Sequence, residues 1–88
     1  MKDRAYNPDP DVVFKRLDDR MVLVHLKSNQ IFELNSTGAR VWELLQEGVS
    51  SDTLLNRLKA EFEIDPATLR TEIESLLSEL TSEGLIAS

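Results

Sequence analysis

Apolar residues follow two different periods along this chain. Between residues 12 and 34 they alternate or form short blocks, as in "VVFKRL", "MVLVHLK" and "IFEL", which is typical of β-strands. From residue 35 onward they recur at spacings of three and four, which is typical of amphipathic helices. The change of period predicts a first part built of strands and a second part built of helices.

The predicted strands are residues 12–17, 21–27 and 31–34. Asp18 and Asp19 form a turn signal and "KSNQ" suits a hairpin loop, so an antiparallel meander is the simplest arrangement. Alternation places Val22, Val24 and Leu26 on one face of the second strand, and Met21, Leu23 and His25 on the other. In the third strand it separates Phe32 and Leu34 from Ile31 and Glu33. We expect Met21, Leu23 and Ile31 on the outer face of the sheet.

Three helices are predicted after the strands, each with a capping residue at its start. The first begins at Asn35 or Ser36, the second at Ser50 or Ser51, and the third at Asp65. Their apolar stripes are Val41, Leu44 and Leu45 with Trp42; Leu54, Leu55, Leu58 and Phe62; and Leu69, Ile73, Leu76, Leu77 and Leu80. The fold class is therefore α+β, with a three-stranded antiparallel sheet followed by three helices (βββααα), similar to a winged helix-turn-helix.

Acidic charge is concentrated in the second part of the chain. Residues 1–35 hold six Lys or Arg and six Asp or Glu, whereas residues 36–88 hold four against ten and carry the whole net charge of −6. The third helix has one cation, Arg70, and four glutamates. A winged helix can bind DNA, but a recognition helix of this sign would be repelled by phosphates. We therefore expect no nucleic-acid partner, and keep a DNA-binding winged helix as an alternative.

The sequence offers little for catalysis. The chain has no cysteine, its three glycines are isolated, and its single histidine, His25, lies in a strand where we expect it to be partly exposed. We expect no catalytic residue, no metal site and no cofactor. No apolar run approaches the roughly 20 residues needed to span a bilayer, and residues 1–11 do not resemble a secretory signal. We expect no membrane partner and a cytoplasmic location.

The third strand, with Gln30 included as "QIFEL", is predicted to lie at an edge of the sheet. It has little charge and no proline, whereas the first strand carries Lys15 and Arg16 and follows two prolines. Charged residues and prolines normally protect a strand edge against pairing. Three occupants could cover the third strand: a guest peptide added as a fourth strand, the arm of residues 1–11, or a second copy of the chain in a small homodimeric interaction protein. The sequence leaves these alternatives open.

Three segments, taken in order, resemble the PqqD-like family: "FELNSTGARVWELL", "EGVS" and "FEIDPATLRTEIESLLSELTSEGLI". The resemblance covers about residues 12–86, so we expect residues 1–11 to be a flexible N-terminal arm and residues 12–88 to be the recognition domain. It implies a non-catalytic adaptor that binds the leader segment of a ribosomally synthesised, post-translationally modified precursor peptide. A stand-alone chain of this size is most similar to the leader-binding proteins of lasso-peptide pathways. The partners implied are the precursor leader, a separate cysteine-type leader peptidase and a macrolactam cyclase.

The resemblance also implies where a leader would bind. In the family the leader is an extra antiparallel strand on the third strand, and its side chains enter a groove beside the third helix. Carried over to this sequence, the strand residues are Gln30, Ile31, Phe32, Glu33 and Leu34. The groove residues are Arg70, Ile73, Glu74 and Leu77, with Leu69 and Leu76 as further candidates. Apolar residues at helical spacing are also what a helix buries in its core.

Overall fold

A three-stranded antiparallel sheet followed by three helices forms the body of the protein, as predicted. The computed structural model describes residues 3–87. In chain order the elements are β1 (Asn7–Pro8), β2 (Val12–Leu17), β3 (Arg20–His25), β4 (Gln30–Leu34), α1 (Ser36–Gln46), α2 (Ser51–Glu61), α3 (Pro66–Ser82) and β5 (Ile86–Ala87). The main sheet has the order β2-β3-β4, and β1 pairs with β5 in a separate two-stranded ladder that the sequence analysis did not predict.

The two hairpins of the sheet turn at residues that tolerate a left-handed backbone. Asp18 has a φ of 55° between β2 and β3, and Asn29 has a φ of 57° between β3 and β4. Asp and Asn adopt this conformation more readily than other side chains except glycine. The second hairpin sets His25 opposite Gln30 and Met21 opposite Leu34. This register decides which side chains face the helices.

The prediction for the outer face of the sheet was wrong for two of its three residues. Met21 and Leu23 are 1% and 0% exposed and belong to the core, whereas Ile31 is 72% exposed. Residues paired across antiparallel strands share a face, and Ile31 pairs with Val24 rather than with either core residue. Both faces of β3 are apolar, so alternation alone could not show which face the helices cover. The outer face instead carries Val13 and Val24 beside Ile31.

Each helix starts at a side chain that satisfies an otherwise unpaired backbone N–H. Gly38 N–H donates to Asn35 Oδ1 at 2.9 Å, and Thr68 N–H donates to Asp65 Oδ2 at 3.1 Å. Ser50 caps α2 in the same way, accepting from Thr53. The sequence left two candidate caps for each of the first two helices, and the structure shows Asn35 and Ser50 in this role. The caps fix where α1 and α3 begin.

The core lies between the inner face of the sheet and the three helices. Trp42 on α1 is fully buried at its centre and meets the ring of Phe14 edge-on at a centroid distance of 5.8 Å. The apolar stripes predicted for α1 and α3 are buried with one exception, Leu76, which is only partly buried. Leu76 is thus the stripe residue of α3 that remains accessible from outside.

The N-terminal segment packs against the C-terminal end of the chain, away from β4. Asn7 pairs with Ala87 and Pro8 with Ile86. Upstream, Arg4 N–H donates to Ser51 Oγ at 2.9 Å, which ties the segment to the start of α2. Within residues 3–11 the arm therefore pairs elsewhere and leaves β4 uncovered.

His25 is buried, rather than partly exposed as predicted, and it joins the N-terminal segment to the sheet. It is 9% exposed, and its Nε2 lies 3.4 Å from Asp9 Oδ2. The pKa of Asp9 is lowered, first by the N–H of Asp11 donating to its carboxylate at 2.8 Å and further by the hydrogen bond with His25, while partial burial opposes the shift. The ionised carboxylate is therefore the form that the folded chain prefers.

We predict that Asp9→Asn destabilises the protein at neutral pH and that this difference shrinks in acid. A group with a lowered folded pKa contributes stability above its unfolded pKa and loses it as the pH falls through the folded value. Thermal melts followed by circular dichroism between about pH 7 and pH 3 should show the gap closing below about pH 4. Asp19→Asn, at the exposed β2–β3 turn, is the control. A gap that stays constant over this range would contradict the assignment.

Candidate functional site

β4 is an edge strand with one neighbour. It pairs with β3 along all five of its residues, and no other strand within residues 3–87 pairs with its second side. In an antiparallel strand the backbone groups of alternate residues point to opposite sides. Two or three residues of β4 therefore present both an N–H and a C=O to the open side.

A cleft of about 700 Å³ lies along this open edge, between β4, the start of α1 and one face of α3. Its apolar surface comes from Phe32 and Leu34 on β4, Val41 on α1, and Ile73 and Leu76 on α3. Phe32 and Leu76 are partly buried, so they retain surface that a guest could cover. The cleft thus places apolar side chains directly beside unpaired backbone.

Gly38 allows the start of α1 to approach the other two walls closely. A Cβ placed on it would lie 3.2 Å from Leu34 Cβ and 3.5 Å from Leu76 Cδ2. The first contact is tighter than most Cβ contacts, so a larger residue would require β4 to shift by a few tenths of an ångström, whereas the contact with α3 is an ordinary van der Waals distance. Glycine in a helix lowers its stability by roughly 0.5–1 kcal/mol relative to alanine. The close approach of α1 to β4 and α3 at this point of the cleft explains why Gly38 is present despite that cost.

Part of the wall formed by α3 is a stripe of four residues, the last of them at the C-cap of the helix. Glu72, Leu76, Glu79 and Glu83 are spaced by four, three and four, which places them within about 60° of arc around the helix. All four line the cleft. The core stripe of α3 lies to one side of this stripe and also reaches the cleft at Ile73 and Leu80, so the wall combines buried apolar residues with Leu76 and three carboxylates.

The structure brings together six of the eleven residues predicted from the resemblance. The residues that line the cleft are Ile31, Phe32, Glu33, Leu34, Ile73 and Leu76. Gln30 begins β4, while Leu69 and Leu77 are buried in the core. Arg70 and Glu74 are exposed and lie about 160° around α3 from Glu72, on the side away from the cleft. The role of each residue in binding stays a prediction.

Two groups of cleft residues were missed by the sequence analysis. Thr37, Gly38 and Val41 come from α1, which was treated only as a core helix. A glycine in the first turn of a predicted helix, where alanine would be more stable, was the available signal for the first group. The second group is the three glutamates, which were interpreted only as a charge that opposes DNA. Their spacing of seven and four was the signal that they share one face with Leu76.

Among residues 3–87, no group of three or more His, Asp or Glu side chains is placed to hold a metal ion. Within the same residues, no helix is both long and apolar enough to cross a bilayer. An open strand edge, an apolar floor and a polar rim form the kind of site that takes up an extended polypeptide.

The comparisons agree with this class of site and identify the family. The family model described as coenzyme PQQ synthesis protein D (PqqD) matches residues 20–86, and the chain belongs to this family. A solved structure described as TbiB1 in complex with the TbiA(beta) leader peptide superposes with a TM-score of 0.85 at 29% identity, over 93% of this chain and 95% of that one.

A second solved structure, described as lasso peptide synthetase B1 complexed with the leader peptide, shares the fold. Its TM-score is 0.81 at 24% identity, over 94% of this chain and 98% of that one. No match was found among curated proteins. The family resemblance inferred from the sequence is thereby confirmed.

We predict that Ile73 and Leu76, although both line the cleft, differ in their importance for folding. Ile73 is 1% exposed, so Ile73→Ala should lower the free energy of unfolding by about 2–5 kcal/mol. Leu76 keeps part of its surface in the cleft, so Leu76→Ala should cost only about 1 kcal/mol. Urea unfolding followed by tryptophan fluorescence measures both values. Equal losses would mean that Leu76 belongs to the core and leaves the cleft without its apolar wall.

Proposed function

We propose that this chain is a non-catalytic adaptor that binds the leader segment of a ribosomally synthesised precursor peptide. The leader adds to β4 as a fourth antiparallel strand and places apolar side chains in the cleft beside α3. The observation that carries the proposal is the open edge of β4 next to partly buried Phe32 and Leu76. The two structural neighbours, which are described as complexes with leader peptides, support it.

The pathway proposed for the chain is lasso-peptide biosynthesis. The described neighbours include a lasso peptide synthetase B1 protein, and the match extends over nearly all of both chains. In this proposal the adaptor delivers the bound precursor to a separate cysteine-type leader peptidase and a macrolactam cyclase. The reading frames beside its gene should then encode a short precursor and these two enzymes.

Backbone pairing alone would not hold a leader on β4. A strand of five residues gives about 4–5 hydrogen bonds, each worth roughly 0.5–1.5 kcal/mol net. Ordering a flexible peptide costs roughly 1–2 kcal/mol per residue, whereas micromolar binding needs about −8 kcal/mol. Two or three buried apolar anchors, at roughly 1.5–3 kcal/mol each, supply the difference. The cleft side chains therefore determine affinity, and the strand edge determines orientation.

Two of the alternatives to a guest peptide, the N-terminal arm on β4 and DNA binding by the winged helix, have less support. The N-terminal arm, within residues 3–11, pairs with β5 and the start of α2. DNA is opposed by the three glutamates on the exposed stripe of α3, which would face phosphates without counter-charge. A guest peptide is the occupant whose chemistry matches both the edge and the cleft.

We predict that Leu76→Ala weakens binding of the cognate leader, taken from the precursor encoded beside this gene, by about 5–30-fold. This corresponds to about 1–2 kcal/mol of lost apolar contact. Fluorescence anisotropy with the labelled leader measures the change. The matched control is Leu17→Ala, because Leu17 is also partly exposed, at 36%, but lies on β2 at the opposite edge. If both folded variants bind as the parent does, the leader does not use this cleft.

We also predict that leader binding slows amide hydrogen exchange in β4. The N–H groups that point to the open side should become protected when they pair with the leader. Exchange in β2, the other edge strand, should stay unchanged because no guest pairs there. Mass-spectrometric exchange with peptides covering Gln30–Leu34 and Val12–Leu17 measures the difference. Protection confined to α3 would show that the leader binds the helix without joining the sheet.

A further inference from the structure

The direction of a guest strand relative to α3 follows from contacts at the two ends of the cleft. A Cβ placed on Gly84, just after α3, would lie 3.9 Å from His25 Cε1. His25 pairs with Gln30, the first residue of β4. At the other end, Leu34 and Leu76 both approach Gly38. β4 therefore runs antiparallel to α3 across the cleft, and a guest antiparallel to β4 runs parallel to α3.

The spacing of the α3 stripe matches the side-chain repeat of a strand. Steps of four, three and four residues along a helix correspond to about 6, 4.5 and 6 Å. Side chains on one face of a strand recur every two residues, about 6.7 Å apart. Over three steps the two repeats differ by only about 3.5 Å, which flexible Lys, Arg and Glu side chains can span. Successive guest residues on one face therefore meet Glu72, Leu76, Glu79 and Glu83 in that order.

The three carboxylates of this stripe have no ion-pair partner in the part of the chain that the structure describes. Glu33 on β4, in contrast, is paired with Arg20 at 2.9 Å. Among residues 3–87, the lining of the cleft includes no lysine, arginine or histidine. A guest in the cleft would bring its own side chains close to these charges, and cationic side chains would be favoured there.

We propose that the cleft selects guest peptides with the pattern cation–x–apolar–x–cation–x–cation, read from N- to C-terminus. This inference rests on the proposed function and adds the chemistry of the peptide that the site accepts. The first cation lies opposite Glu72, the apolar residue packs on Leu76, and the last two cations lie opposite Glu79 and Glu83. Residues marked x point away from the α3 stripe and are unrestricted by it.

A displayed library of random 14-residue peptides, selected at low salt on the full chain, tests the pattern. Binders that the Leu76→Ala variant no longer retains define the cleft-directed pool. Lys and Arg should be enriched in this pool at the first, fifth and seventh positions of a window whose third position is apolar. One enriched peptide is then synthesised, together with the same sequence reversed. The reversed peptide should bind more weakly, because its apolar residue no longer faces Leu76 when its cations face the glutamates.

A charge-removing variant tests the carboxylates directly. The triple variant Glu72→Gln, Glu79→Gln and Glu83→Gln should bind the selected peptide about 3–100-fold more weakly, given about 1.4–5-fold for each exposed pair. The difference should largely disappear at about 0.5 M salt. The matched control is Asp19→Asn, Glu47→Gln and Glu63→Gln, which removes three charges from residues outside the cleft and should change binding less than about twofold. Circular dichroism establishes that both variants are folded.

The possible results separate the two proposals. A pool that depends on Leu76 but shows no basic enrichment would overturn the inference and leave the proposed function standing. Equal losses in the two triple variants would also overturn it, since net charge rather than the stripe would then be responsible. A library with no binders that depend on Leu76 would overturn the proposed function, and the inference with it.

Discussion

The backbone of β4 is hydrogen-bonded on one side only, and the arrangement of the other elements preserves this state. α3 lies close enough to form a wall but not a cover, because the start of α1 separates it from the strand at Gly38. The opposite edge strand, β2, carries Lys15 and Arg16, which are the residues that normally discourage further pairing. The sheet therefore has one edge that is chemically protected and one that is left open beside an apolar surface.

The two ends of the chain help to keep the β4 edge open. A free N-terminal arm of this length could reach the edge strand of so small a domain. Instead, Asn7–Pro8 pairs with Ile86–Ala87, and Asp9 contacts His25. Two short strands, one of which places Ile86 in the core, thus pair the arm with the C-terminal strand instead of β4. His25, the only histidine, joins this terminal ladder to the sheet and has a structural contact for each ring nitrogen, one with Asp9 and one with Ser28.

Much of the fold could be predicted because its local signals agree with one another. Capping residues, turn residues and apolar periods each favoured the same six elements, and consistency of this kind is what makes a sequence specify one structure. The β1–β5 ladder could not be predicted, since two residues on each side give no period. The faces of β3 were assigned wrongly because both are apolar, and only the register with β4 and the position of α1 distinguish them. In the candidate site, α3 forms one wall of the cleft, but Arg70 and Glu74, which the resemblance placed there, lie on the far side of the helix. The glutamates of the cleft stripe were treated as a bulk charge, although their spacing of seven and four residues already placed them on one face of a helix.

An open strand edge with Ile31 exposed beside it is a hazard to solubility, because it can pair with the same edge of another molecule in crowded conditions. The glutamates along α3 reduce this hazard, since two such rims brought face to face repel each other at neutral pH. The same carboxylates would then have two effects. They keep molecules without a bound peptide apart, and they leave a negatively charged cleft that a peptide with basic side chains can enter without repulsion. Purification at low ionic strength near the calculated isoelectric point of about 4.6 would remove this protection, and precipitation is to be expected there.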